Sequence, residues 1–317
     1  KILCVLMSCL LFVMAGCSGH SKNLKFGAAD IGGVYYSFAS TFTQLADNEI
    51  DGYTFETKTT AGSVANLRLI SDGYIDLAIV QADLLSDAYN ATGTFADKKY
   101  QKGYKAVASL YTECCQIVVR KDSGITGIDD LINKTVSVGA SESGTEKNAE
   151  QILKMSGITD ELINKVNMDY TEAAEKLKAG EIDAFFCTAG TRTEVIGQLS
   201  KECDICLISL DDKCIDKMLS AYSLCEKYTI PAGTYNGQDS DVTTIGVKAV
   251  LIAKQSLSDD VIKNVTKTIY EHADDFKYAT SLDISFDINT AADGVDIPFH
   301  SGAAAYYTER GINVLTE

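Results

Sequence analysis

Between Asp30 and Asp83 the chain sets two small-residue turns, each at the head of a helical pattern, and then a buried strand. The first turn is Ile31-Gly32-Gly33-Val34-Tyr35-Tyr36-Ser37; the second is Thr59-Thr60-Ala61-Gly62-Ser63-Val64-Ala65-Asn66. Glycine lets the backbone approach a ligand, and the first N–H groups of a helix have no partner within it. Such a start is a ready donor for an anion. Gly73-Tyr74-Ile75-Asp76-Leu77-Ala78-Ile79-Val80-Gln81-Ala82-Asp83 then reads as a helix end, an apolar strand and a polar strand tip. Ligands of open α/β sheets sit at such tips. The stretch therefore predicts an α/β layer that holds a small polar ligand, most naturally a carboxylate.

The same alternation of β-rich runs and amphipathic helices continues along the chain, as α/β layers require. Strands are expected at 24–27, 54–58, 77–80, 104–110, 116–120, 135–139, 167–170 and 184–187. Helices are expected at 36–48, 63–71, 145–155, 171–179 and 257–273. A faint internal echo runs through them. Ser71-Asp72-Gly73-Tyr74-Ile75-Asp76-Leu77-Ala78 resembles Lys178-Ala179-Gly180-Glu181-Ile182-Asp183-Ala184-Phe185, with the glycines 107 positions apart (180 − 73). Each copy follows a small-polar helix start, Ala61-Gly62-Ser63 in one and Ser143-Gly144-Thr145 in the other. Two lobes with matching donor turns can close on one ligand from opposite sides. Gly-x-Ile-Asp before a strand is also common in α/β chains, so the echo alone leaves chance open.

Residues 1–16 combine a basic start, an apolar core and small residues ahead of Cys17, the layout of a signal peptide and too short to span a membrane. Met14-Ala15-Gly16-Cys17 resembles a bacterial lipobox, with Met where Leu is usual, so Cys17 is the expected lipidation site. An ordinary cleaved signal with an incidental Cys is the alternative. One or two acyl chains would hold a globular body on a membrane, and 17–23 reads as the tether. The net charge of −16 becomes −17 without 1–16, which loses Lys1 and no acid. That acidity argues against nucleic acid and against a polybasic membrane footprint, and means that local donors must hold any anionic ligand.

Seven cysteines follow Cys17: Cys114, Cys115, Cys187, Cys203, Cys206, Cys214 and Cys225. An odd number cannot pair completely within one chain, and the spacing shows no framework. Cys203-Asp204-Ile205-Cys206 has the CxxC form but no second CxxC and no nearby His. Free buried thiols fit better than a metal or redox site. His20, His272 and His300 form no constellation, and no Ser–His–Asp arrangement or Walker loop occurs, so an enzyme would lack an evident apparatus. Neither a metal nor a cofactor is expected.

Taken in order, these segments resemble the TAXI family, the extracytoplasmic solute-receptor subunits of one branch of TRAP transporters. The resemblance rests on the two turns above, Leu67-Arg68-Leu69, Asp76–Asp83, Ser109-Leu110-Tyr111, Gln116-Ile117-Val118-Val119-Arg120 and Val136-Ser137-Val138-Gly139. It continues through Ser143-Gly144-Thr145-Glu146-Lys147-Asn148-Ala149, Thr229-Ile230-Pro231-Ala232-Gly233-Thr234-Tyr235, Pro298-Phe299-His300-Ser301-Gly302-Ala303 and Tyr306-Tyr307. The order and spread matter more than any one motif. Departures are Ser37 and Asn236 where Pro is frequent, and Thr191-Arg192-Thr193 for a common Ala-Pro-Thr.

The resemblance implies an α/β, two-lobed periplasmic-binding-protein fold of the type II kind, with the ligand cleft between lobes and two crossing strands. Lobe I is expected at 24–112 plus 229–317 and lobe II at 113–228, with hinges near Tyr111–Cys115 and Cys225–Pro231. It implies a monomeric receptor, extracytoplasmic and lipid-anchored, that passes glutamate, glutamine or a 2-oxoglutarate-like dicarboxylate to a TRAP permease subunit. The expected ligand-binding residues are Gly33, Tyr36, Ser63, Asn66, Gln81, Tyr111, Ser143, Gly144, Thr145, Gly190 and Arg192. Ser and Thr at helix starts also serve as plain caps, Tyr36 and Tyr111 equally suit core packing, and a solvated surface suits Arg192 better than a ligand. A ligand receptor for a sensor system, and an enzyme of the thiamine-precursor synthesis type on a similar fold, are the alternative functions.

Overall fold

The computed structural model describes residues 21–97, 100, 103–280 and 286–317. The expected signal segment 1–16, the lipid site Cys17 and His20 lie outside the described residues. From Lys22 the chain alternates strand and helix: β1 (Lys22–Gly27), α1 (Val34–Glu49), β2 (Tyr53–Lys58), α2 (Ser63–Ser71), β3 (Leu77–Gln81) and α3 (Ala82–Asn90). There follow β4 (Tyr104–Arg120), β5 (Thr135–Ser137), α4 (Gly144–Met155), β6 (Asn164–Val166), α5 (Tyr170–Ala179) and β7 (Ala184–Ala189). Next come α6 (Glu194–Glu202), β8 (Ile205–Leu207), α7 (Asp212–Ala221) and β9 (Cys225–Ile230). β10 (Val242–Lys254), α8 (Asp259–Glu271), α9 (Ala273–Thr280) and α10 (Ser301–Thr308) complete the described helices and strands. No described helix is long and apolar enough to cross a membrane.

One mixed sheet carries the fold, in the order β2-β1-β3-β10-β4-β7-β5-β6, with β8 on β4 and β9 on β10. β4 and β10 run antiparallel through its middle. From Tyr104 to Cys114 β4 pairs with β10, and from Cys114 to Val119 with β7. β10 likewise faces β9 over Val242–Val247 and β3 over Ala249–Ala253. Both strands thus change neighbours at mid-length, and Glu113 pairs with Val247 at the change.

The period of two decides which core each side chain enters. On β4, Cys115, Ile117 and Val119 pack with α4 and α7 residues such as Ile152 and Met218, while Val118 joins the opposite cluster. On β7, Ala184 and Phe186 take the first side and Phe185 and Cys187 the second. Beside β1 the core is aromatic: Phe26 meets Phe42 edge-on at 5.5 Å, and Phe38 stacks on Phe276 at 4.4 Å. Burying such a ring contributes about 1.5–3 kcal/mol.

The structure departs from the sequence reading at three places. The runs expected at 104–110 and 116–120 are one strand, because the stretch between them stays extended, Tyr111 to Cys114 pairing with β10 and Cys114 and Cys115 with β7. The strand expected at 167–170 is displaced to Asn164–Val166. Asn167 donates to the Gly139 carbonyl at 2.9 Å, and Asp169 caps α5 by accepting from Glu172 N at 2.8 Å, so these polar side chains end the strand. The helix expected at 257–273 splits at His272, whose ring joins Glu49 on α1 at 2.6 Å and Asp275 on α9 at 2.9 Å. The seven cysteines are free thiols; Cys203 and Cys206 are half-buried and the others buried.

Candidate functional site

The second turn is built around Gly62, at φ +117° and ψ −149°, a conformation that only glycine adopts without strain. It starts α2 at Ser63. Below it Asn66 is wholly buried: its Nδ2 donates to the carbonyls of Ala28 (2.7 Å) and Ile79 (2.9 Å), and its Oδ1 accepts from Thr60 Oγ1 (2.7 Å). Asn66 thus ties the tips of β1 and β3 to the turn. The facing start, α4, is capped by Ser143, whose Oγ accepts from Glu146 N at 2.9 Å.

These two helix starts touch. Ala65 N donates to the Glu142 carbonyl at 3.0 Å, and Arg68 of α2 reaches the Glu142 carboxylate. Gln81 at the tip of β3 donates through Nε2 to Asn148 of α4 at 3.0 Å. Between them remains a cavity of about 30 Å³. Its walls come from the first turn (Ala29, Asp30, Gly33, Val34, Tyr35), from α2 and α4 (Gly62, Ser63, Ser143, Gly144, Thr145), and from Gln81, Glu113, Tyr170 and Thr188. No Lys, Arg or His is among the wall residues. The first N–H groups of each helix, at Ser63, Val64, Gly144 and Thr145, have no intrahelical acceptor, as at any helix start.

The side chains of the wall form a relay. Gln81 N donates to Ser63 Oγ at 3.1 Å; the Ser63 hydroxyl lies against the Tyr35 hydroxyl, which donates to Glu113 Oε2 at 2.7 Å. On the other side Tyr170 donates to the Thr188 carbonyl at 2.9 Å, so at 2.6 Å the Thr145 hydroxyl donates to Tyr170. Thr145 Oγ1 also accepts from Thr188 N at 3.1 Å. Both hydroxyls are therefore engaged by the protein, and the free donors at the helix starts are backbone N–H groups.

Burial shapes the acids. Glu113 is 3 % exposed, and desolvation pushes its carboxyl up to about 8 against the opposing hydrogen bonds from Tyr35 and Gln81. Asp30 is pushed up to about 6 by burial and then by the neighbouring Asp169 carboxylate. The Gln81 Oε1 atom is buried and has no hydrogen-bond partner.

Of the residues expected from sequence, the structure brings Gly33, Ser63, Gln81, Ser143, Gly144 and Thr145 together on the cavity wall. The other five lie off it. Asn66 is spent on the backbone beneath, Tyr111 is buried in the core, and Tyr36 packs half-buried beside it. Gly190 lies one residue beyond the wall residue Ala189, and Arg192 is exposed with a left-handed φ of +67°. Sequence reasoning missed Asp30, Tyr35, Glu113, Tyr170 and Thr188. Glu113 carried a signal: it is the one acid within the run Tyr104–Arg120, at the expected hinge.

The fold is shared with solved structures of low sequence identity. PhnD1 from Prochlorococcus marinus, solved with methylphosphonate, matches 84% of this chain and 93% of its own at 12% identity and a TM-score of 0.59. A putative L-cystine ABC transporter protein from Listeria monocytogenes matches 82% and 94% at 14% identity and a TM-score of 0.52. An ancestral arginine-binding protein bound to arginine matches 83% and 98% at 15% identity and a TM-score of 0.51. The architecture is thus the two-lobed α/β fold of periplasmic binding proteins. Residues 26–311 match the model of the NMT1-like family, and the chain belongs to that family.

Proposed function

We propose that this chain is the extracytoplasmic solute receptor of a TRAP-type transporter of the TAXI kind. It captures a small carboxylate or amino acid by lobe closure and delivers it to the membrane permease. One observation carries the reading: two helix starts face each other across a small cavity without a single cationic side chain on its wall. Backbone N–H groups there receive an anion as fixed partial charges. The TAXI assignment is supported by the order of motifs along the sequence. The solute-receptor assignment is supported by the fold, whose relatives carry names of binding and transport proteins.

Lobe I takes 24–112 and lobe II starts at 113, supported by the change of neighbours at Cys114 of β4. The return crossing falls in β10 between Val247 and Ala249, downstream of 229, because β9 pairs only with the first half of β10. Attachment is through a diacylglycerol on Cys17, which intact mass of the membrane fraction tests directly; Cys17→Ser releases the protein or leaves it unprocessed. Thermal shift of the body from Ser18 onward against amino acids and dicarboxylates tests the ligand class. A ligand at a hundredfold excess over Kd stabilises by about 2.7 kcal/mol. No shift from any of them would remove the proposed ligand class.

A further inference from the structure

Asn148 is wholly buried in α4, yet it is not one of the cavity's wall residues. It lies one turn beyond Gly144 on the same side of the helix, so it backs the wall. Its Oδ1 accepts from Gln81 Nε2 at 3.0 Å, and its Nδ2 donates to Gln151 Oε1 at 3.4 Å. With its donor end turned to Gln151, Asn148 meets Gln81 with its acceptor end. Gln81 Nε2 also donates to the Glu113 carboxyl. Both protons of the Gln81 amide are thus engaged, and its Oε1 is left buried, without a partner, beside the wall residue Gly144.

A glutamine side chain turns about three bonds, and its amide offers two donors at one end and an acceptor at the other. Which end a cavity meets therefore depends on what holds the other. Gln81 belongs to β3 and Asn148 to α4, so under the lobe division proposed above their hydrogen bond joins the two lobes. We propose that Asn148 is a positioning residue of the binding site: from behind the wall it orients the Gln81 amide, so that the cavity presents a carbonyl acceptor among the N–H donors of the helix starts. The inference rests on the receptor function proposed above and adds how closure completes the wall. When the lobes part, Gln81 loses its acceptor on α4 and its amide turns; when they close, Asn148 sets it. The chemistry of the wall then depends on a residue that does not touch the ligand.

The test is a double-mutant cycle read by titration calorimetry, with L-glutamate, L-glutamine and 2-oxoglutarate as probes. Gln81→Met and Asn148→Leu remove the two amides at nearly constant volume, and melting curves check that each variant folds. For a probe that wild type binds, each single variant is expected to bind roughly tenfold more weakly. The double variant is expected to bind no more weakly than Gln81→Met, because Asn148 acts through Gln81. An Asn148 that merely supports the fold would multiply its loss with that of Gln81, to roughly a hundredfold. That result, or wild-type affinity in Asn148→Leu, overturns the inference and leaves the receptor function standing. Should Asn148→Leu not fold, the wild-type protein decides by NMR. With the probe saturating, the Gln81 side-chain N–H pair, identified by its absence from Gln81→Met, is expected to exchange with solvent roughly tenfold or more slowly than the exposed glutamine amides. Exchange at the exposed rate overturns the inference. If no probe binds, the inference and the proposed ligand class fall together.

Discussion

Arg68 on α2 grips Glu142 ahead of α4 with two hydrogen bonds, 2.6 Å from Nη2 and 3.1 Å from Nε, across the mouth of the cleft. Both side chains are about a third exposed, and a pair of this kind contributes about 1 kcal/mol or less. Under the lobe closure proposed above, the pair breaks when the two helix starts part, so its loss is expected to act on release. Arg68→Ala is expected to speed ligand dissociation by up to about fivefold, with little change in association and a smaller effect at high salt. Stopped-flow release at two salt concentrations reads this; identical rates at low salt would mean that the pair is not a latch.

Gly144 makes a sharper prediction. A Cβ there would stand 2.4 Å from Gln81 Oε1, and Gln81 is buried and tied to Asn148, so it cannot swing aside freely. The clash lies between lobes, and Gly144 has no need of a positive φ. In this arrangement the clash opposes the about 1 kcal/mol by which Ala favours a helix over Gly, so Gly144→Ala is expected to push α4 away from Gln81. Affinity should fall by about tenfold or more. Small-angle scattering with saturating ligand should show the variant more open than wild type; equal compaction would show that the contact yields.

Much of this was legible in the sequence, for physical reasons. The α2 start is legible at Ser63 because Gly62 marks a turn no other residue makes comfortably, and the α4 start is legible to within one residue because Ser143 is a good cap. Gln81 was legible as the polar tip of an apolar strand. Tyr35, Tyr170 and Thr188 were not, because each reaches the cavity from a different element, and only the closed sheet brings them together. Tyr36 was expected on the wall and its neighbour Tyr35 lines it: one step along a helix turns a side chain by about 100°, which local pattern does not fix. Asn66 reads as a donor at a helix start, yet its amide is consumed by the carbonyls of Ala28 and Ile79.

The relay hydroxyls can be tested separately from the backbone donors. Removing Ser63 Oγ leaves Gln81 N without its acceptor and Tyr35 without a neighbour; removing Thr145 Oγ1 leaves Thr188 N unpaired and frees Tyr170. Leaving a buried donor unsatisfied costs about 1–3 kcal/mol. Ser63→Ala and Thr145→Ala are therefore each expected to lower stability by about 1–3 kcal/mol and, through the displaced cavity wall, to weaken ligand binding. Ser256→Ala, in the turn ahead of α8, should bind like wild type. Titration calorimetry on all three checks this. Wild-type affinity in both Ser63→Ala and Thr145→Ala would mean that the hydroxyl relay does not shape the site.

Asp83 should make stability fall as pH rises. It lies in the first turn of α3, buried against Gln151 of α4 and facing Tyr222, Cys225 and its own-helix neighbour Asp87. Burial, and then Asp87, push its carboxyl from 3.8 up to about 6. Between these values the folded protein holds a proton that the unfolded chain has released, so unfolding releases protons and stability declines with pH across that window. Below about 4 both states are protonated and the penalty vanishes; above about 7 it is complete, on the order of 2–3 kcal/mol. Glu113 and Asp30 slope the same way, so wild type alone does not isolate Asp83. Asp83→Asn does: urea unfolding of the ligand-free protein should show the variant more stable than wild type at pH 8, with the difference shrinking towards pH 4. A difference that stays constant with pH would assign the effect to packing rather than to the buried charge.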